Sequence, residues 1–359
     1  MATRDNEKGS KTAQVDEDLR KLLEARQADI KVVGVGGAGN NTISRMMQVG
    51  IVGAEVVAVN TDAQDLLYTD SDQKVLIGKE LTRGLGAGAD PHVGQEAAKE
   101  SRDELKEALS GADMVFITCG LGGGTGTGAS PVVAEVAKKL GALTVGIVTL
   151  PFTMEGKQRM DNARQGLEEL EKVVDTLIIV PNDKLLEIVP DVSIITAFKV
   201  SDEILVNAVK GIAELVTKPG LVNLDFADIK AVMGGGGLAM IGMGESDSEN
   251  RALEAVEKAL NNPLLDVEVD GAAGALVNVS GGADVTIKEC QQIVEAVSSK
   301  LSQDAKIIWG AQINKDMGDT VRAMLVVTGV KANQVYAGGP SLSKTKEKEI
   351  EKILGIDFV

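Results

Sequence analysis

The chain has 359 residues and a net charge of −16, with acidic side chains spread along its length rather than gathered in a tail. No basic face is present for phosphate neutralisation and aromatic residues are only 2%, so the composition argues against nucleic acid as a partner. One histidine and two distant cysteines, Cys119 and Cys290, remove histidine-based triads and Cys/His metal sites, and the thiols read as reduced in a cytoplasmic protein.

The polar opening "MATRDNEKGSKTAQ" is no signal peptide, and no apolar run approaches the ~18 residues of a membrane span, so no direct membrane insertion is expected. Residues 1–29 read as an extension, disordered at first, then a short amphipathic helix with Val15, Leu19, Leu22 and Leu23 on one stripe. From residue 30 the pattern becomes strand, glycine turn, helix. "IKVVGVG" is a strand, "NTISRMMQVG" a helix and "EVVAVN" a strand. "HVGQEAAKESRDELKEALSGA" reads as one long helix and "DMVFITCG" as a strand running into "CGLGGGTGTGASP". "SPVVAEVAKKLG" is the next helix, followed by the strand "ALTVGIVTLP", the helix "MDNARQGLEELEKVV" and the strand "TLIIVPN". Near-continuous Val/Ile strands between helices predict a parallel, doubly wound α/β domain over residues 30–193.

A long helix follows in "SIITAFKVSDEILVNAVKGIAELVTKPG", stopped by Pro219-Gly220, and it is expected over 194–219 between two domains. Residues 220–330 then read as a smaller α/β domain of three or four strands and two helices, with "MGGGG" as a flexible connection ahead of a strand. Residues 331–359 read as a polar linker with an apolar tip.

Two glycine-rich stretches each follow a strand and open a helix: "GVGGAGNN" at 34–41 and "GLGGGTGTG" at 120–128. Glycine packs no side chain and weakens strands and helices, so five glycines among the seven residues from Gly122 to Gly128 are more than a turn requires. At a strand-to-helix junction the free N–H groups and the helix dipole favour an anion, and side-by-side loops at the carboxyl edge of one sheet suit a polyphosphate. A third run, "RGLGAGADP" at 83–91, is expected to wrap its far end. Neither loop has the G-K-[ST] of a P-loop, which leaves charge neutralisation to N–H groups, the dipole and Mg2+. Gly34, Gly36 and Gly39 also satisfy G-x-G-x-x-G, with Asp62 ending the next strand as a ribose acid would, so an NAD-dependent oxidoreductase stands as the competing reading.

With "AVNTDAQ", "PFTMEGKQRM", "VPNDKLL" and "NLDFADIK" in the same order, the chain resembles the FtsZ/tubulin family of GTP-dependent filament-forming proteins over roughly residues 30 to 330. "AFKVSDEIL" and the short tail lean towards its archaeal members. The resemblance implies a tubulin/FtsZ-like fold and a GTPase using GTP/GDP, with Mg2+ held through phosphates and water. It also implies head-to-tail self-assembly into the filaments of a cytoplasmic mid-cell division ring. It places Gly36, Gly37, Ala38, Gly39, Asn40 and Asn41 at the α/β-phosphates, with Asn60 and Asp62 beside them. Gly122, Gly123, Gly124, Thr125, Gly126, Thr127 and Gly128 take the phosphate chain, and Gly86, Ala87 and Gly88 the γ-phosphate. Ala38 stands where many relatives have glycine. Glu155 and Arg159 match the ribose and phosphate contacts, Asn182 and Asp202 the guanine readers, and Phe198 the base stack. On spacing alone Glu155/Arg159 is equally an exposed i,i+4 pair and Phe198 ordinary core.

Asp225 and Asp228 share one face if a helix starts near Phe226, and capping alone accounts for them on sequence grounds. The resemblance gives them, with Asn223, the role of hydrolysing a neighbouring subunit's nucleotide; a weakly hydrolysing scaffold would lack the pair. The apolar end, residues 347–359, either docks on its own domain or, as the resemblance implies, binds a membrane-tethering adaptor of the FtsA or SepF kind.

Overall fold

The computed structural model describes residues 28–188, 194–217, 224–265, 272–302 and 304–330. The expected N-terminal helix, the Pro219-Gly220 stop, Asn223 and the C-terminal linker and tip lie outside these residues. The first half alternates β1 (Ile30–Val35), α1 (Gly36–Val49), β2 (Ala54–Asn60), α2 (Ala63–Tyr68), β3 (Gln73–Leu76), α3 (Lys79–Thr82), α4 (Pro91–Glu100), α5 (Arg102–Ala108), β4 (Met114–Gly120), α6 (Thr125–Lys139), β5 (Leu143–Leu150), α7 (Lys157–Glu171), β6 (Thr176–Pro181) and α8 (Asn182–Ile188). The long helix α9 (Ile194–Thr217) and the shorter α10 (Phe226–Met233) lead to β7 (Gly237–Ser246), α11 (Arg251–Leu260), β8 (Gly274–Gly281), α12 (Ile287–Ser298), β9 (Lys306–Ile313) and β10 (Val321–Thr328).

The strands form one sheet in the order β3-β2-β1-β4-β5-β6-β7-β10-β8-β9. It is parallel from β3 to β6. The second half joins where β7 pairs with the start of β6, Thr176 opposite Gly237, and β10 then runs antiparallel between β7 and β8. Alternate residues of the parallel strands feed two apolar layers. Val33, Val35, Val115 and Ile117 meet α4, α6 and α7 on one face. Ile30, Val32, Met114 and Phe116 meet α1 and the apolar stripe of α9 on the other. Burial on both faces is why these strands read as unbroken Val/Ile runs. Both cysteines are buried and free, and burial pushes the Cys119 thiol up to about 12, so it is unreactive.

Two local expectations are corrected. The single helix expected from His92 is two, because Ser101 leaves helical geometry and its buried hydroxyl accepts the Gly78 N–H at 3.0 Å. The helix expected from Ser130 begins at Thr125, so half of the second glycine loop is already helical.

Candidate nucleotide site

β1 and β4 are hydrogen-bonded neighbours, so the glycine stretches that follow them lie side by side at the carboxyl edge of the sheet. A cleft of about 300 Å³ opens there, bordered by the first turns of α1 and α6. In this acidic chain α2, α4 and α10 are capped by Asp62, Asp90 and Asp225. At α1 and α6 no side chain caps the helix and no acid stands in the first turn. Two uncapped N-termini bordering one cleft make it electrostatically favourable for an anion.

The glycines divide the work. A Cβ on Gly36, whose φ is +71°, would come within 2.8 Å of the Gly126 nitrogen, so the two loops touch backbone to backbone. Gly122, at φ +105°, sits against the Arg159 carbonyl at 2.9 Å by the same measure. Gly124 serves packing on the third loop and Gly128 packing on α4, since their Cβ atoms would strike Ala87 at 2.8 Å and the Pro91 carbonyl at 1.8 Å. Within the two stretches 34–41 and 120–128 only Gly37 and Gly123 face room, with nothing nearer than 3.8 Å and nothing within 4 Å respectively.

Of the sequence-predicted residues, the cleft gathers Gly36, Gly37 and Ala38 from the first loop and Gly123 to Gly126 from the second. Glu155, Arg159, Asn182, Phe198 and Asp202 line its other end. Gly39, Asn40, Asn41, Asn60, Asp62, Gly122, Thr127 and Gly128 do not line it, nor do Gly86, Ala87 and Gly88. Most of these brace the lining from behind. Gly39 packs on the Thr118 carbonyl. The Thr127 hydroxyl accepts the Gly122 N–H at 2.8 Å, closing the second loop on itself. Asp62 caps α2, accepting the Gln64 and Asp65 N–H groups on its Oδ1. Asn41 is exposed on α1.

Asp202 and Phe198 both stand on the first turns of α9. Asp202 Oδ1 accepts the Thr42 hydroxyl at 2.9 Å. Burial raises its pKa above the ordinary 3.8, while Thr42 and Arg45 pull it back. Asn182 is 4% exposed and its Oδ1 accepts the Ser201 hydroxyl at 2.9 Å, which leaves an amide NH2 as donor. Phe198 is 43% exposed and meets Phe152 edge to face at 5.3 Å, so it is no ordinary core residue. Glu155 pairs with Arg159, and it also closes its own turn by accepting the Phe152 N–H at 2.9 Å. Sequence reasoning missed Thr42 and Ser201. Thr42 follows Ala38 by one helical turn, a spacing that would have put it on the cleft side; Ser201 gave no periodic signal.

Asp225 and Asp228 are exposed and form a reciprocal capping box, the Asp228 N–H donating to Asp225 Oδ1 at 2.8 Å. Neither lines the cleft. Their helix α10 ends against the beginning of β6, where the Thr176 hydroxyl donates to the Met233 carbonyl at 2.5 Å, whereas β6 reaches the cleft only at its far end, beside Asn182.

Residues 29–190 match the Tubulin/FtsZ family, GTPase domain, and residues 237–331 the FtsZ family, C-terminal domain. The chain is 66% identical to "Cell division protein FtsZ 1" of Thermococcus kodakarensis over 318 residues, 89% of this chain and 85% of the relative. Its structure superposes with a TM-score of 0.85 on an "FtsZ dimer, empty" from M. jannaschii, 62% identical, covering 88% of this chain and 92% of that one. CetZ1 from Haloferax volcanii, a "GDP bound monomer", follows at 26% identity and a TM-score of 0.74, covering 90% and 99%. Two phosphate-ready helix ends in a doubly wound sheet, together with these matches, set the dinucleotide oxidoreductase aside: the chain belongs to the FtsZ branch of the tubulin/FtsZ family and is a GTPase of cell division.

Proposed function

We propose that the cleft holds GTP, and GDP after cleavage, and that hydrolysis proceeds only when Asp225 and Asp228 of a second copy close over the γ-phosphate. The phosphates rest on the N–H groups of α1 and α6, with Gly86, Ala87 and Gly88 towards the γ end. Glu155 and Arg159 meet ribose and phosphate, and Phe198 stacks on the base. Asp202 accepts from the paired N1–H and N2–H2 donors of guanine, which adenine lacks, and the Asn182 amide donates to the acceptor edge. In this reading Mg2+ is held by phosphate oxygens and water. Bound there, Mg2+ neutralises phosphate charge that no lysine in either loop meets.

The observation that carries this reading is the placement of cleft and carboxylates at opposite edges of the sheet. Asp202 of α9 lines the cleft, while Thr217 at its end donates to the Val52 carbonyl ahead of β2, about 22 Å further along the helix axis and beyond the reach of any side chain. A contact pairing one copy's cleft with the next copy's acidic pair is heterologous, and in this reading its rotation does not close a ring, so it propagates as a filament. Asn223 stands beside the pair in this reading. A mixing experiment tests it. Asp228→Ala has an intact cleft and Gly123→Val an intact acidic pair; each alone is expected to turn over poorly, and the mixture to recover GTPase activity. A mixture no more active than its components would place the whole centre in one molecule and end the proposal.

In this scheme residues 30–193 form the GTP-binding domain, 194–219 the central helix and 220–330 the activating domain. Residues 347–359 bind a membrane-tethering adaptor of the FtsA or SepF kind, which brings cytoplasmic filaments to a mid-cell ring. Among the described residues no helix is long and apolar enough to cross a membrane. Deleting 347–359 is expected to spare turnover and abolish recruitment to membranes; recruitment without the tail would refute the adaptor assignment.

A further inference from the structure

Two glycine-rich loops border the cleft and a third, residues 83–91, packs behind them; all three are tied to one corner, the turn from β2 into α2. Asn60, the last residue of β2, accepts the Thr61 N–H at 2.8 Å and the Asp62 N–H at 3.3 Å on its Oδ1. The Thr61 hydroxyl lies 2.6 Å from that of Thr125, at the start of α6, which secures the second loop. The Thr61 carbonyl accepts the Gly86 N–H at 3.2 Å and the Gly84 carbonyl accepts the Ala63 N–H at 3.0 Å, which secures the third. The first loop joins through Asn40 on α1, only 1% exposed, whose Nδ2 donates to Asp65 Oδ2 at 3.2 Å. The Asn60 Nδ2 donates to that same oxygen at 2.6 Å. One carboxylate oxygen therefore links the first phosphate loop to the corner carrying the other two.

Asp65 does not line the cleft, yet its Oδ2 would stand 3.8 Å from a Cβ placed on Gly37, which does. A carboxylate so near a polyphosphate opposes the ligand electrostatically, so its charge gives binding nothing. Nor is it the helix cap, because Asp62 fills that role. What remains is geometry: Asp65 gathers two amides from two elements at one point.

We infer that Asp65 is a positioning residue for nucleotide binding, setting the spacing between the N-terminus of α1 and the second and third loops by holding Asn40 and Asn60 together. The inference rests on the cleft being the nucleotide site. Two substitutions separate its geometry from its charge. Asp65→Ala removes the common acceptor and is expected to raise the Kd for GDP and the KM for GTP about tenfold, with kcat at saturation unchanged. Asp65→Asn keeps an acceptor oxygen and removes the opposing charge, so it should bind GDP as tightly as the wild type or tighter. Asp65→Gln keeps the chemistry but shifts the oxygen by one carbon; it should bind weakly, and it carries the test if the alanine variant does not fold. In a double-mutant cycle, Asn60→Ala should add little to Asp65→Ala, since the two act through one contact. Undiminished GDP affinity in Asp65→Ala, or a loss in Asp65→Asn equal to that in Asp65→Ala, would overturn the inference. Gly123→Val separates the two readings. If it binds GDP normally the cleft assignment falls and the inference with it; if it loses GDP while Asp65→Ala does not, the inference alone falls.

Discussion

Gly37 and Gly123 have space where a side chain would go, while Gly128 has a carbonyl 1.8 Å from that position. The same substitution type therefore has two different consequences. On the proposed reading Gly37→Val and Gly123→Val fill the void the ligand takes, and their expected signature is lost GTP binding with little change in thermal stability. Gly128→Ala drives a methyl into the backbone of α4, and overpacking of this kind costs roughly 1–3 kcal/mol, so the expected result is a lowered Tm. Nucleotide titration beside thermal unfolding distinguishes them; a stable Gly128→Ala protein would contradict the packing account. Composition alone could not make this division, because a glycine that admits a phosphate and one that admits a neighbouring helix look the same in a string of letters. The proposed base end was legible differently. Asp202 and Phe198 fall on one helical stretch, but that Phe198 is exposed beside Phe152 follows from the long-range placement of α9.

At the level of elements, α10 shows two duties sharing two residues. Asp225 caps the helix, and the proposed mechanism also requires its carboxylate. Asparagine caps a helix about as well as aspartate, whereas alanine costs about 1 kcal/mol. Asp225→Asn is therefore expected to keep the wild-type Tm and lose turnover, and Asp225→Ala to lose both; equal turnover in Asp225→Asn and wild type would leave the residue a cap and nothing more. Long elements with strong patterns were readable: the Val/Ile runs of β1, β4, β5 and β6, and the apolar stripe of α9. The break at Ser101 was not, since it depends on the Gly78 N–H, 23 residues away, finding that hydroxyl. The start of α6 was hidden for the opposite reason. Glycine and threonine argue against a helix interior, yet at Thr125 to Gly128 close packing on α4 and the hydroxyl pair with Thr61 outweigh propensity. The short α2, β3 and α3, with 6, 4 and 4 residues, carried no period long enough to detect.

Across the whole molecule, parallel strands point every loop that follows them towards one edge, and the connection through α9 and α10 delivers the acidic pair to the other. On the proposed reading catalysis is a property of a junction rather than of a chain. Turnover per molecule is then expected to climb with total protein above an assembly threshold, measured as phosphate release at rising concentration; a constant rate per molecule would oppose this. Such a row of copies has unlike tips. One terminal copy presents a loaded cleft with no neighbour to cut it, while the copy at the opposite tip offers carboxylates with nothing to act on. Every row therefore carries one more nucleotide than it has places to cleave one, and the smallest unit able to hydrolyse is a pair.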